Sequence, residues 1–375
     1  MTTAAATTPA TAFTCSGSSP TLAEPAENFL SAVPRDSPSR SNPTIHLLGP
    51  GRVGRALLER IARLPHLSLL AVSDSTGTLF DPRGLAPRAV AAWKARGGAL
   101  GRHGDGLAIS TEEALALVGA DLVVDATPTD LSRPEAAVRR AVATVDRGAL
   151  LALAAKDALC FAAQDLLSPA HLARVGLNAV LGGTGAHLAE ELIELRATCA
   201  EVEIAGNAST TALIEEIEAG GSLAEGIASA TRRGLLETDP TQDLDGSDAA
   251  VKLAIVVRAL WGFALSPGDL PKLDLGALDP EAIRARSARK ATTRLIGRAG
   301  RDGSFALAYE EVARGSHLAV PSDRVVYAYR TGRGLSVHVG SGLGPEGTAD
   351  ALLADVLRLA RAARPAAGAV RGGVA

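Results

Sequence analysis

The chain has 375 residues, of which 47% are hydrophobic, and this length can fill two modest cores. A formal net charge of −3 at pH 7 without a basic stripe argues against nucleic acid as a partner, and no stretch reaches the roughly 18 uninterrupted apolar residues of a membrane span. Three widely spaced cysteines (Cys15, Cys160 and Cys199) form no disulfide framework, which favours a reducing cytoplasm. The seven histidines are scattered and do not have the spacing of a metal site.

Residues 1–43 differ in composition from the rest of the chain. They are rich in Ala, Thr, Ser and Pro and lack hydrophobic periodicity, so we expect a disordered leader. They also lack the basic start and continuous apolar core of a secretory signal. At the other end, we expect residues 364–375, which are rich in Ala, Gly and Arg, to be frayed.

A glycine-rich turn follows the first predicted strand. Residues 45–61 read as a short apolar strand, a turn and an amphipathic helix. In this pattern Gly49 permits the tight turn, Gly51 lets the backbone approach a pyrophosphate, and Gly54 lets the helix pack closely on the strand. The sequence therefore predicts a dinucleotide site here, with the candidate contacts Gly49, Gly51, Arg52, Val53 and Gly54.

The next strand, predicted over Leu67–Val72, bears on the choice of cofactor. It leads into Ser73 and Asp74, where an acidic residue commonly binds the adenosine ribose. Asp74 favours NAD, whereas Arg52 and Ser75 could accommodate the 2′-phosphate of NADP. The sequence therefore predicts NAD or NADP without deciding between them.

Two further strands end in residues that could contact a cofactor. Asp121–Ala126 leads into Thr127-Pro128-Thr129, and the following strand ends just before Lys156. Ligands of open α/β sheets bind beyond the carboxyl ends of the strands, which places Lys156 where a nicotinamide would lie. Thr127 and Pro128 are then candidate cofactor contacts, although a simple turn with a hydroxyl cap explains Thr127 and Thr129 equally well.

From about residue 176 the alternation of strand and helix changes. Gly182–Gly185 is expected to be a flexible loop that opens a helix. The other predicted elements are, in chain order, helix 134–145, strand 150–154, helix 186–197, strand 201–204, a helix ending at 217, helix 223–233, strands 324–329 and 335–339, and helix 348–363.

The most distinctive segment of the chain is residues 237–252. Asp248 and Lys252 are four residues apart, so they share one face of a helix that Gly246 or Ser247 would cap. A solvated acidic loop with a surface ion pair is the alternative, but the helix that follows is apolar enough to be buried. Five carboxylates with no Lys or Arg between them fall within twelve positions: Glu237, Asp239, Asp243, Asp245 and Asp248.

Lysine is scarce, with five lysines against 33 arginines. Where only a positive charge is needed this chain uses arginine, whereas a lysine ammonium can also lose a proton. We therefore expect Lys156 and Lys252 to be functional.

Taken together, these segments resemble the homoserine dehydrogenase family over about residues 45–361. The most specific match is Glu237–Lys252, which is similar to the family's E-x-D-P-x-x-D-x-x-G-x-D-x-x-x-K. Supporting matches are the glycine turn, Asp125–Thr129, the strand ending at Lys156, and Gly340–Gly344 with Thr348-Ala349.

The resemblance implies an α/β fold with a Rossmann doubly wound nucleotide-binding domain and an α+β substrate domain of mixed sheet. The domains are expected at 44–175 and 176–323, and strands and a helix over 324–363 return to the domain junction and dimer region. The implied reaction is the reduction of L-aspartate 4-semialdehyde to L-homoserine in amino-acid biosynthesis. NADP or NAD is the expected cofactor, with a monovalent cation as an optional ligand. A homodimer is expected, without the feedback-sensing C-terminal ACT domain of many relatives.

Position by position, the resemblance implies three groups of site residues. The catalytic group is Lys156, Lys252 and Asp248; either lysine could polarise and protonate the carbonyl oxygen while the other binds the substrate carboxylate or orders water. The substrate group is Glu237, Asp243, Gly183 and Thr184. The cofactor group adds Lys156 and Gly342 to the residues named above, with Asn207–Thr211 beside the nicotinamide.

Four departures from the family pattern leave two other functions open. Ala155, Asn178, Gly185-Ala186 and Asn207–Thr211 replace Asn, Glu, Ile-Pro and N-G-T-T-N. One alternative is a same-fold reductase for a different amino-acid semialdehyde or hydroxy acid in a specialised pathway. The other is a catalytically inactive dinucleotide-binding interaction protein, against which the intact cluster of lysines and acids argues.

Overall fold

The structure is a computed structural model that describes residues 42–232, 236, 244–274, 278–341 and 344–363. The described residues fall in one compact unit that begins at Asn42. Almost all of the expected leader, and the expected frayed tail, therefore lie outside the described residues. Within them, no helix combines the length and apolar character needed to cross a membrane.

Seven short strands form the first sheet, and their order places the glycine turn at its centre. They are β1 (Thr44–Leu48), β2 (Ser68–Asp74), β3 (Gly77–Phe80), β4 (Gly106–Leu107), β5 (Leu122–Asp125), β6 (Leu150–Leu153) and β7 (Val175–Gly176). The order is β4-β3-β2-β1-β5-β6-β7. The neighbouring strands β2-β1-β5-β6-β7 pair in parallel, whereas β3 pairs antiparallel with both β2 and β4. The connections run in opposite directions on either side of β1, and ligands bind at such a switch point.

Helices cover both faces of this sheet, as in the doubly wound arrangement expected. Alternate residues of a strand face opposite sides, so Ile45 and Leu47 pack on one face and Leu48 on the other. The helices that follow the strands are α1 (Arg52–Ile61), α2 (Pro87–Ala95), α3 (Thr111–Leu117), α4 (Glu135–Asp146) and α5 (Asp157–Leu166). The last helix of the chain, α11 (Pro345–Ala363), returns to this sheet and packs against α1 and β5 to β7.

Five strands form the second sheet, in which every described pairing is antiparallel. They are β8 (Cys199–Ala205), β9 (Ala291–Gly300), β10 (Phe305–Ala313), β11 (Arg324–Thr331) and β12 (Gly334–Ser341), in the order β10-β9-β8-β11-β12. The mixed pairing expected from the sequence occurs in the first sheet. Here two tight connections, at 301–304 and 332–333, join neighbouring strands, and such hairpins allow only antiparallel pairing.

Among the residues that the structure describes, five further helices pack around the second sheet. α9 is the one that the acidic segment was predicted to open, and its burial is confirmed, because Leu253, Ile255 and Val256 are fully buried. It lies between the second sheet and α5. The helices are α6 (Gly185–Thr198), α7 (Ala208–Glu218), α8 (Leu223–Arg232), α9 (Ser247–Trp261) and α10 (Pro280–Ala288).

Candidate active site

The glycine turn lies between β1 and α1 and has the geometry that a dinucleotide site needs. Gly49 has a φ of +78°, and a Cβ there would lie 2.6 Å from the carbonyl oxygen of Ala126. A Cβ at Gly54 would lie 2.4 Å from the carbonyl oxygen of Gly49. At Gly51, by contrast, a Cβ would meet no atom within 4 Å. Gly49 and Gly54 therefore serve packing, whereas Gly51 leaves open space at the start of α1, where a phosphate would fit.

Asp74 ends β2, as predicted, but its carboxylate is already engaged. One oxygen lies 2.5 Å from the ammonium nitrogen of Lys94, and the other accepts hydrogen bonds from the main-chain N–H and hydroxyl of Thr76. Burial opposes ionisation, but the bonds from Lys94 and Thr76 outweigh it and lower the pKa of Asp74. A cofactor ribose would therefore meet a carboxylate that a cation partly neutralises.

The segment after β5 connects the glycine turn to the first candidate lysine. The hydroxyl of Thr127 donates to Asp125 at 2.5 Å, so the hydroxyl-capped turn considered from the sequence does form at this residue. The hydroxyl of Thr129 accepts a hydrogen bond from the main-chain N–H of Lys156 at 3.1 Å. Pro128 lies between them and is exposed. The carboxyl ends of β1, β5 and β6 therefore meet around one point.

Lys156 and Lys252 share one carboxylate. Lys156 follows β6 and precedes α5, whereas Lys252 and Asp248 lie one turn apart on α9. The nitrogen of Lys252 lies 2.8 Å from one oxygen of Asp248, and the nitrogen of Lys156 lies 3.4 Å from the other. The structure thus brings together three predicted residues that are up to 96 positions apart in the sequence.

The charges of the two lysines dominate the electrostatics of Asp248. Burial would raise the pKa of this carboxyl, but the ammonium groups of Lys252 and Lys156 outweigh burial and hold its pKa well below the usual range. The side chain of Lys252 is 14% exposed and that of Lys156 is 27% exposed, so both can be reached from solvent or by a small ligand. The arrangement can present a fixed ammonium group to a developing negative charge.

The predicted substrate loop lies beside the last strand of the second sheet. Gly182 and Gly183 have φ values of +62° and +86°, and a Cβ at Gly340 would lie 2.0 Å from the carbonyl oxygen of Gly182. Gly183 is exposed, whereas Thr184 is buried and its hydroxyl donates to the carbonyl oxygen of Leu181 at 2.8 Å. Of the two predicted substrate contacts in this loop, only Gly183 is exposed.

Other predicted residues fall in less direct positions or outside the described residues. Asn207 caps α7 by accepting from the main-chain N–H of Thr210 at 3.1 Å, so its side chain serves the helix. Arg52 and Val53 are in the first turn of α1, and Ser75 follows β2. Glu237, Asp243 and Gly342 lie outside the described residues.

Two buried residues near the site were missed from the sequence. Tyr327 on β11 is fully buried, and its hydroxyl has no hydrogen-bond partner among the described residues. Burial raises its pKa, with further contributions from Tyr329 and from Asp248. Asp355 on α11 is also fully buried. The alternation of Val325, Tyr327 and Tyr329 on one face of a predicted strand was a usable signal for the first, but none marked the second.

Comparison with known proteins agrees with these observations. A family model described as homoserine dehydrogenase matches residues 189–357. The homoserine dehydrogenase of Methanocaldococcus jannaschii is 28% identical over 302 residues, which cover 78% of this chain and 88% of that protein. The NAD(+)-dependent homoserine dehydrogenase of Pseudomonas canavaninivorans is 26% identical over 339 residues, which cover 84% of this chain and 96% of that protein.

A solved structure shares the architecture. A hyperthermophilic archaeal homoserine dehydrogenase mutant in complex with NADPH matches with a TM-score of 0.69 at 23% identity, covering 86% of this chain and 99% of that one. The homologues indicate an NAD(P)-dependent oxidoreductase that acts on a CH–OH group, and the glycine turn of the first sheet and the paired lysines beyond β6 agree with that class. The family match and the relatives narrow this class, because the chain is similar to homoserine dehydrogenases over residues 189–357 and over most of its length.

Proposed function

We propose that this protein interconverts L-aspartate 4-semialdehyde and L-homoserine, with roles for the individual residues as follows. The observation that carries the proposal is the pair of ammonium groups, Lys156 and Lys252, on the single carboxylate of Asp248. The pair lies beyond β6, next to the segment that contacts the glycine turn. A nicotinamide supplies the hydride when bound, and the chain must supply position and a proton.

One lysine protonates the carbonyl oxygen, and the other binds the substrate carboxylate or orders water. An ammonium group within about 3 Å of that oxygen both polarises the carbonyl and can donate the proton to the developing alkoxide. Asp248 orients both ammonium groups. Glu237 and Asp243 bind the ammonium group of the amino acid, a role that the resemblance of their segment supports. A zwitterionic substrate suits a pocket that carries both signs of charge.

The residues of the glycine turn fit a dinucleotide, and we propose that either nicotinamide can be used. Open space at Gly51 supports binding of the pyrophosphate. Asp74 supports NAD, and its partial neutralisation by Lys94 also makes the site tolerable to a 2′-phosphate. No group of three or more His, Cys, Asp or Glu among the described residues could hold a metal ion, and no proposed step uses a monovalent cation.

A steady-state assay tests the proposal. Purified protein is incubated with L-homoserine and either NAD⁺ or NADP⁺, and the reduced nicotinamide is followed by its absorbance. We expect turnover with homoserine, and much less turnover with hydroxy amino acids whose side chains are one methylene shorter or longer. Turnover only with another substrate would assign a different reductase, and cofactor binding without any turnover would assign an interaction protein.

We also propose a homodimer in a cytoplasmic setting. β12 is the last strand on one side of the second sheet, and the side chains of Val337 and Val339 on it are 40% and 54% exposed. Exposed valines on an edge strand favour pairing with a second copy. Light scattering after gel filtration should give twice the chain mass, and Val339→Lys should shift the protein towards the monomer. Buried free thiols at Cys160 and Cys199 suit a reducing compartment.

A further inference from the structure

Asp355 is a carboxylate in an unusual place, because it is fully buried on α11. One of its oxygens accepts a hydrogen bond from the main-chain N–H of Asn178 at 2.7 Å, and the other lies 3.5 Å from a guanidinium nitrogen of Arg358. A Cβ at Gly176 would lie 2.6 Å from the Cβ of Asp355, so only glycine permits this approach of α11 to β7. The carboxylate is therefore built into the contact between the last helix and the end of the first sheet.

Asn178 connects Asp355 to the loop at 182–184 through hydrogen bonds. Its main-chain oxygen accepts from the N–H of Gly183 at 2.7 Å, and its side-chain oxygen accepts from the N–H of Ala186 at 2.7 Å. These two bonds close the loop on both sides of Thr184. Asn178 itself is buried, and its remaining main-chain N–H is the group that Asp355 holds.

We propose that Asp355 is a positioning residue for the substrate loop, Gly182–Thr184, and that it acts through the main-chain N–H of Asn178. The inference rests on the proposed function, because the substrate role of the loop comes from there. Burial raises the pKa of Asp355 to about 6, against the opposing effects of the Asn178 N–H and of Arg358. At pH 8 the carboxylate is ionised and accepts a charge-assisted hydrogen bond, which is stronger than a neutral one.

Three variants separate positioning from simple stability. Asp355→Ala leaves the N–H of Asn178 without its acceptor, and we expect the KM for homoserine to rise about tenfold, the size of one unmade bond at a buried group. The KM for the nicotinamide should stay within about twofold. Asp355→Asn keeps an acceptor oxygen of similar shape and should recover most of the loss. Asp350→Ala removes an exposed carboxylate of the same helix, which pairs with Arg60, and should leave both KM values unchanged.

Hydrogen exchange provides a readout that does not need turnover. In Asp355→Ala, and more weakly in Asp355→Asn, the amides of Gly183 and Ala186 should exchange faster than in the parent, while amides of β1 and β5 keep their rates. If Asp355→Ala fails to fold, the isosteric Asp355→Asn carries both measurements. Unchanged exchange at Gly183 and Ala186, or equal changes in both KM values, would overturn the positioning role. Absence of homoserine turnover in the parent protein would instead overturn the proposed function and leave the exchange result standing.

Discussion

Two lysines on one carboxylate are the smallest unit from which the chemistry of this protein can be argued. Each ammonium group alone would be an ordinary surface cation, but Asp248 lies 2.8 Å from Lys252 and 3.4 Å from Lys156 and offsets their mutual repulsion. The pair is then held in place in a partly buried site. A fixed ammonium costs little reorganisation when a carbonyl oxygen becomes an alkoxide.

Replacing Lys252 by methionine tests the chemistry at this site. The change keeps the length of the side chain and removes the charge and the proton. We expect kcat with homoserine to fall at least about 100-fold, as for loss of a positioned acid, while the dissociation constant of the nicotinamide stays within a few-fold. Lys272→Met is the matched control, because the side chain of Lys272 is 85% exposed and its ammonium nitrogen lies 3.6 Å from Asp245. Equal losses in the two variants would remove Lys252 from the chemistry.

Asp248 should also leave a signature in stability against pH. Its pKa is lower in the folded protein than in the unfolded chain, so its ionisation stabilises the fold above pH 4, and this stabilisation is lost as the pH falls below 4 towards the folded-state pKa. Asp248→Asn should therefore unfold at a lower temperature than the parent at pH 7. The gap between the two melting temperatures should narrow between pH 4 and pH 3. A gap that is constant over this range would contradict the assignment.

Lys94 should influence the choice of nicotinamide. Without it, Asp74 would keep its full negative charge beside the adenosine ribose and would repel a 2′-phosphate. We expect Lys94→Ala to raise the KM for NADP⁺ roughly tenfold and to change the KM for NAD⁺ little. Parallel changes in both constants would mean that the pair serves structure alone.

At the scale of elements, the turn between β1 and α1 separates packing from binding. A Cβ at Gly54 collides with the carbonyl oxygen of Gly49, whereas a Cβ at Gly51 meets nothing. Gly54→Ala should lower the free energy of unfolding by about 1–3 kcal/mol, as for overpacking. Gly51→Ala should keep the melting temperature but weaken cofactor binding, because the methyl group occupies the space of a phosphate. Denaturant titration and cofactor fluorescence on both variants measure the contrast.

The same scale shows what the sequence could and could not reveal. β1, β2, β5 and β6 are mainly apolar runs bounded by small or polar residues, and each was predicted to within two residues at either end. The hairpin of β9 and β10 was missed, although Asp302-Gly303 is a strong turn signal. β9 is buried on both faces and so lacks the alternation that marks a half-buried strand.

The sequence also revealed some residues of the candidate site and not others. Lys156 and Lys252 were predicted because lysine is rare and because the motif around Lys252 is specific. Asp355 was not, because nothing local distinguishes it: its partner Asn178 is 177 residues away in the sequence. A contact of that range is visible only once the fold is known.

At the scale of the whole molecule, α11 completes the first sheet from the far end of the chain. Leu352 and Val356 are fully buried in the same cluster as Ile45, Leu47 and Leu57. Leu352→Ala should cost about 2–5 kcal/mol of unfolding free energy, whereas Glu346→Ala on the exposed side of the helix should cost far less. Urea unfolding of both variants tests this, and a single cooperative transition in each would show that the two sheets unfold together.

This arrangement means that, during synthesis on the ribosome, the first sheet is made long before the helix that packs on it. The glycine turn emerges first, yet the part of this core that α11 covers stays exposed until residues near 352 leave the exit tunnel. A nascent chain stalled before that point should bind chaperones and should be digested by protease faster than the folded protein. Arg60 can meet Asp350 only after a further 290 residues have been translated, so the early half of the chain reaches its final structure only when the late half is complete.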